Sequence, residues 1–520
     1  MKKNMDLNIS SKNKDTIIPE YNLTGDILSF LTCNLQYRYQ NRESLPPSRP
    51  LQLWFGEFVH GVMEQAYTEW NLNKTPFPWN WKKTIRPIEE KIEERMETRG
   101  LYPPHPRYYS SYKLLDKKTN ENIYNKNPKK RIISTRIEEM LNLWGKELFP
   151  LMSDVEVKIK ALRKMPNFKE DNESVEDILT NDGSNNKYLK NDDLNNKYLK
   201  NDDLNNNDLS DYDLNDRDLY EINKNRKRFS YYSISGVVDV ISSLNCDKAN
   251  INSTHMDQNL VIKYLKKNKE IDKILKNPQI RNSEVYRHVD EDFDIEINNK
   301  NQINNKNYTE NNEKNKLENG LKSDLQSNLE NEFEIIIDYK GMMRPKFNSK
   351  RWKEHEDQIL TYSWLRSRLN TSKPIIAGII FYINELLPSA IDLKYMKKNI
   401  HEYDIKAKKM DLRKVLNWDD KQKKLDVDSD YVDTFPVLSE NFRLDRSIRV
   451  IKIDETAINK SLKTFDNVVS EIEKSIYKES ISHSIKYSWK PIINPQTCDV
   501  CDFKTFCSKY KIKKQEFEIP

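Results

Sequence analysis

The stretch EFEIIIDYKGMMRPKF, residues 332–347, constrains this chain more than any other. Three consecutive isoleucines lead from Phe333 and Glu334 to Asp338, so the segment predicts a strand covered on both faces. It ends on Asp338 and Lys340, which lie two apart and therefore share a face, with Tyr339 opposite. The apolar run YYSISGVVDVISSL (231–244) predicts a strand pair or a bent strand, and PIIAGIIFYI (374–383) another buried strand. DVEVKIKAL (154–162) alternates and also predicts a strand. Helical spacing marks 23–40, 52–70, 131–150, 353–369 and 456–477. Buried strands with helices between and before them predict an α/β sheet flanked by helices.

Much of the chain fits no core. Residues 185–194 read NNKYLKNDDL and 195–204 repeat them, and Asn and Asp fill 21 of the 40 positions from 181 to 220. Such a segment cannot bury enough apolar surface to offset chain entropy. It predicts disordered insertions in surface loops at 165–228 and through most of 246–331, with a disordered tail at 1–20. The ordered parts then fall at 21–164, 229–245, 332–400 and 448–520, with a peripheral insertion at 401–447. The window 181–220 holds ten Asp against four Lys and one Arg, although the whole chain carries +6. Without that window the remainder is basic, which is compatible with a polyanionic partner.

No apolar leader opens the chain, so a cytoplasmic protein is expected. The longest apolar stretch, 374–387, is too short to span a bilayer and contains Asn384 and Glu385, so no membrane partner is expected. Five cysteines make no disulfide scaffold, and clustered cysteines in a reducing compartment suggest metal or redox chemistry.

Several residue groups suit one chemistry. The Asp338 carboxylate suits a hard divalent metal, and the Lys340 ammonium can donate to a water or a phosphate. D-x-K alone is more often an ordinary ion pair. Asp239 ends the run SISGVVDVI, after a glycine that permits a bulge or tight bend, and a second carboxylate there would complete a metal site. His60, in the amphipathic stretch FGEFVHGVMEQAY, is a further candidate ligand, although a lone helical His is more often a core residue. Gln358 and Tyr362 lie four apart on one helix face, where they can hydrogen-bond and stack on nucleic acid. Arg344, Lys346 and Lys350 follow the strand and are candidate phosphate contacts. Cys498, Cys501 and Cys507 form C-x2-C-x5-C, which needs a fourth ligand for a metal or a cluster. Cys33 and Cys246 are the candidates. Cys33 is preferred because it lies in an ordered-looking helix, whereas Cys246 borders an insertion.

In this order the pieces resemble one family. An S-x-L-x-x-C helix, a helical His, a strand Glu, G-x-x-D, D-x-K, Q-x-x-x-Y and C-x2-C-x5-C look like the RecB-like iron–sulfur branch of the PD-(D/E)XK nuclease superfamily. Its members include CRISPR-associated RecB-like exonucleases and AddB-type nuclease domains. The resemblance implies a restriction-endonuclease-like mixed sheet and a C-terminal iron–sulfur segment. It implies a Mg²⁺- or Mn²⁺-dependent deoxyribonuclease, an exonuclease on single-stranded DNA, serving DNA repair, recombination or CRISPR-type defence. His60, Asp239, Asp338 and the Tyr339 carbonyl would match the metal ligands. Asp239, Asp338, Lys340 and the upstream Glu156 would match the catalytic set, and Gln358 and Tyr362 the helix near DNA. Cys33, Cys498, Cys501 and Cys507 would hold a [4Fe–4S] cluster. No G-x-x-x-x-G-K-[ST] occurs, so a helicase or integrase partner would be a separate protein. The competing readings are a catalytically inactive DNA-binding relative and a zinc-stabilised interaction module.

Overall fold

The computed structural model describes residues 18–42, 51–103, 113–115, 122–124, 130–166, 230–245, 258–276, 332–369, 371–400, 408–418, 436–482, 484–494, 498, 501–505 and 507. The repeat region and most of 246–331, both expected to be insertions, lie outside the described residues, as does Cys246.

The described strands are β1 (Glu20–Asn22), β2 (Lys113–Leu115), β3 (Asn122–Tyr124), β4 (Met152–Lys164), β5 (Tyr231–Asn245), β6 (Glu332–Lys340), β7 (Ile375–Tyr382) and β8 (Ile448–Lys452). β2 and β3 form a separate two-stranded ribbon. The others make one six-stranded mixed sheet in the order β1-β5-β6-β7-β8, with β4 on the other edge of β5. β6 is buried from Phe333 to Tyr339 and β7 along its whole length; β7 is accordingly free of charge, whereas β6 buries Glu334 and Asp338 beside Arg366 and Lys340.

β5 is one long strand, not a hairpin. Its first half pairs with β1 at Ser233–Ser235, its second half with β6 at Val240–Asn245, and β4 runs antiparallel along its opposite edge. Residues 236–239 therefore lie between the two partners that share one edge.

Among the described residues the helices used below are α1 (Leu28–Thr32), α2 (Asn34–Tyr37), α3 (Leu51–Asn73), α4 (Arg86–Thr98), α5 (Ile132–Met140), α6 (Leu260–Lys266), α7 (Lys269–Lys276), α8 (Lys350–Ser367), α9 (Ala390–Asn399), α10 (Lys409–Asn417), α11 (Glu440–Ser447) and α12 (Glu455–Ser482). Several depart from the sequence reading, which marked no helix at α9, α10 or α11. The segment 23–40 is helical in pieces, broken at Cys33, whose backbone is extended (φ −164°, ψ 116°). α4 was not anticipated, because its many charges mask a thin apolar face of Ile88, Ile92 and Met96. α6 and α7 fall within 246–331, where an insertion was expected; Asn259 and Asn268 side chains accept from the N–H groups of their first turns.

The sheet separates two cores. Ile335, Ile337 and Tyr339 face Trp54, Phe58 and Trp144 from α3 and the segment after α5. Ile336 faces the other way, with Trp352, Ile359, Trp364 and Val469 from α8 and α12. α8 lies on the sheet unusually closely. A Cβ on Gly378 would come within 2.1 Å of Ile359 Cγ2, and one on Gly236 within 2.6 Å of the Tyr362 ring. Gly236 thus serves the approach of a helix and not the strand bend that the sequence suggested. The Glu334 carboxylate and the Arg366 guanidinium form two parallel hydrogen bonds of 2.9 and 2.8 Å, fixing α8 along β6.

Gly378→Ala is expected to destabilise the fold by about 1–3 kcal/mol, because β-branched Ile359 has one comfortable rotamer in a helix and cannot swing aside. A denaturant melt of the variant beside the parent checks this.

Candidate active site

The site forms where β5 and β6 part. Val240 and Ile337 are the last paired residues before the two strands diverge. Beyond them Tyr339 still presents its N–H and carbonyl toward β5, and buried backbone groups need partners. Two side chains supply them. Asp239 Oδ2 accepts from the Tyr339 N–H at 2.9 Å, and His60 Nε2 lies 3.0 Å from the Tyr339 carbonyl. A carbonyl only accepts, so the ring proton belongs on Nε2, and Nδ1 is the nitrogen left for another ligand.

Nδ1 faces two carboxylates, Asp239 Oδ1 at 3.4 Å and Glu156 Oε1 at 3.7 Å. One ligand atom from each of His60, Glu156 and Asp239 lies within 4.8 Å of the others, a spacing a metal ion could bridge. Glu156 lies across from Asp239 on β4, between the paired residues Val155 and Val157. Its φ of 49° is left-handed, rare for a residue with a side chain, and such strain gathers at functional sites.

Next to this trio sits a second one. The Lys340 ammonium lies 2.8 Å from Asp338 Oδ2 and donates to Gln358 Oε1 at 2.7 Å. Gln358 Nε2 donates to Asp338 Oδ1 at 3.0 Å and to the Tyr362 hydroxyl at 3.2 Å. The amide of Gln358 therefore holds acid and amine together from above. Asp338 Oδ2 is buried and makes no hydrogen bond of good geometry, despite the nearby ammonium.

The electrostatics follow from burial among like charges. Burial pushes the Asp239 carboxyl up to about 7; Asp338 adds to this, while His60 and Lys340 oppose it. Burial lowers His60, but Asp239, Glu156, Asp338 and the Tyr339 carbonyl outweigh it and raise the imidazole to about 10. Below about pH 7 His60 and Asp239 both hold protons, which a divalent cation would displace.

The structure brings together His60, Glu156, Asp239, Asp338 and Lys340, but rearranges their roles. Glu156 joins His60 and Asp239, whereas Asp338 is tied to Lys340 and Gln358. The Tyr339 carbonyl, expected on a metal, faces His60. Gln358 and Tyr362, expected beside DNA, are both buried and offer no stacking surface. Arg344 is a correction. It is buried, and its Nη1 donates to the carbonyls of Asp445 and Arg446 at 2.7 and 2.9 Å, in the last turn of α11. A cation there offsets the negative end of a helix and cannot reach a phosphate. Lys346 and Lys350 are exposed.

Cys33, Cys498, Cys501 and Cys507 line one apolar pocket, with Phe503 and Gln36 beside them. Four thiols bordering a single space are the donor set of a metal or a cluster, although no three of their sulfurs lie within 4.8 Å of one another. The extended break at Cys33 separates α1 from α2 at this point.

Sequence reasoning missed two features near the site. A groove between α3 and α4 opens at His60 and Glu156 and carries Arg95 and Arg99 on its rim. Arg95 lies in the last turn of α4 and Arg99 just past its end, and each pairs with a glutamate of α3, Arg95 with Glu64 and Arg99 with Glu57. His355 is buried beside the Tyr382 hydroxyl, 2.9 Å from Nδ1, and burial with nearby Lys340 holds it down to about 3, so it is neutral. Nothing in the sequence around it marks that role.

No family model matches this chain, and no curated protein or solved structure does either.

The pKa shifts fix how pH and metal should interact. Asp239 ordinarily ionises near 3.8, and here at about 7, so between those values the folded chain keeps a proton that the unfolded chain has lost. His60 keeps its proton to about 10 instead of 6.5. In both windows the folded state binds more protons, so apoprotein stability falls as pH rises. Added Mn²⁺ should therefore raise the Tm more at about pH 8 than at about pH 5, and Asp239→Asn should remove most of that difference. Thermal melts at the two pH values, with and without the ion, check this.

Proposed function

We propose that this chain is a metal-dependent deoxyribonuclease of the RecB-like branch of the PD-(D/E)XK superfamily, acting on single-stranded DNA. The observation that carries the reading is the pairing of two trios: Asp338, Lys340 and Gln358 beside His60, Glu156 and Asp239. A mixed sheet with helices on both faces is compatible with the restriction-endonuclease-like core that this branch uses.

His60 Nδ1, Glu156 and Asp239 would hold Mg²⁺ or Mn²⁺, with Asp338 Oδ2 adjacent. A divalent ion there would acidify a bound water and neutralise charge on the scissile phosphate. Hydrolysis joins the water oxygen to phosphorus and breaks the bond to the leaving sugar oxygen, which takes up a proton. Lys340 aims its ammonium where negative charge grows on the phosphate, and Asp338 and Gln358 keep it there. The groove between α3 and α4 reaches His60 and Glu156, and a phosphate would approach the site by it. α3 closes one side of the site and α8 the other.

Cys33, Cys498, Cys501 and Cys507 fit a [4Fe–4S] cluster whose contribution would be architectural. Bridging residues 33 and 498 closes a loop of 465 residues, an entropic cost of about 5 kcal/mol plus a constant, which thiolate bonds can offset.

Protein purified anaerobically should shorten end-labelled single-stranded DNA when Mn²⁺ is added, and Lys340→Ala should slow it by about 100- to 1000-fold. DNA binding without cleavage in the parent would instead identify an inactive relative.

The cluster has its own test. The protein should be brown, and Cys498→Ser should lose both the visible absorbance and several degrees of Tm. Colourless protein carrying zinc would replace the cluster with a structural zinc site.

A further inference from the structure

The loop that follows Lys340 exposes an aromatic ring on a rigid mount. Phe347 is 57% exposed and sits at the tip of a tight turn, closed by a hydrogen bond of 3.1 Å from the Ser349 N–H to the Lys346 carbonyl. Asn348 takes the left-handed conformation that the turn requires, with φ 62°. The Ser349 side chain then caps α8 by accepting from the Trp352 N–H. The turn is held at both ends.

The inner face of Phe347 is occupied. Trp352 is buried and stacks on it, with ring centroids 5.5 Å apart and planes at 25°. Arg449 brings its guanidinium 4.6 Å from the Trp352 ring and 5.6 Å from Phe347. One face of the phenyl is therefore fixed by packing while much of the ring meets water. Leaving that ring exposed forgoes the stabilisation that burying it would give. Ordinary turn tips carry Gly, Asn or Asp instead. In the flanking chain Lys346, Lys350 and Arg351 are exposed, with Glu354 4.0 Å from the Lys350 ammonium, so the cations outnumber the acids there.

We infer that Phe347 is a stacking platform for one base of a single-stranded nucleic acid, with Lys346, Lys350 and Arg351 contacting the flanking phosphates. The occupant follows from chemistry. An exposed apolar ring with exposed cations close by in the chain fits a partner that alternates flat aromatic faces with anionic links, and a duplex keeps its base faces covered. Because the ring is already fixed, stacking loses little side-chain entropy. The inference deepens the nuclease reading and relies on it for the path of the strand: six residues of chain lie between Lys340 and Phe347.

The test uses the full-length protein with Lys340→Ala, so that binding is read without cleavage, and a short fluorescent oligothymidylate as probe. Phe347→Ala should weaken binding by about 5- to 150-fold, and Phe347→Trp should retain it. The salt dependence should stay the same for Phe347→Ala but lose about one unit of slope for Lys346→Ala. An oligomer of the same length built from abasic units should bind Phe347→Ala and the parent equally, which a merely structural role for the ring would not produce. Equal loss on the abasic probe, or no loss on oligothymidylate, overturns the platform. The two readings fail separately. Cleavage that depends on Lys340 with binding indifferent to Phe347 removes only the platform, whereas base-dependent binding without cleavage removes only the nuclease.

Discussion

The close seating of α8 on the sheet is the constraint on which the site depends. Two missing side chains, at Gly236 and Gly378, let Tyr362 and Ile359 approach the strands. One ion pair, Glu334 with Arg366, sets the position along β6. From Arg366 back to Gln358 the helix rises about 12 Å, and from Glu334 to Asp338 the strand advances about 13 Å. The match places the Gln358 amide over Asp338 and Lys340. A slip of one helical turn, about 5.4 Å, would leave both without it. The fork is buried, so the cost of losing one partner is an uncompensated interior charge.

The parting of β5 and β6 solves a second problem. A sheet that stops pairing in its interior leaves bare backbone groups, and here Asp239 and His60 take them up. The same two side chains then point their remaining atoms at Glu156. The carboxylates of Asp239, Asp338 and Glu156 face one ammonium, so two negative charges remain once His60 is neutral. A divalent cation carries that charge. The raised values of Asp239 and His60 express the same excess, with protons standing where a cation would.

Much of this was legible in the sequence, and the parts that were not have physical reasons. The run 332–340 reads as a buried strand because every residue from Ile335 to Ile337 is apolar, and β6 has those bounds. The helix read at 353–369 appears as Lys350–Ser367, displaced toward its Ser349 cap. The grouping of Asp338, Lys340, Gln358 and Tyr362 follows from two local periods, two along a strand and four along a helix. Arg344 could not be read this way. Its burial depends on the end of α11, about a hundred residues further along the chain, and an arginine after a strand looks the same in sequence whether it meets water or carbonyls. The part played by Gly236 was hidden for the same reason, since its neighbour is a ring on α8. The strained backbone of Glu156 leaves no trace in residue types at all.

The earliest elements of the chain wait longest for their partners. Tyr21 bonds to Glu473, Arg38 bonds to Glu479, and Trp489 packs against Phe30 and Tyr37. Arg38 and Glu479 are 441 residues apart. At about 5–20 residues per second, a ribosome takes roughly 20 to 90 seconds to cover that distance. Throughout that interval Phe30 and Tyr37 have each other but not Trp489, so biosynthesis of this polypeptide should lean on holdase chaperones until the segment around residues 473–489 emerges.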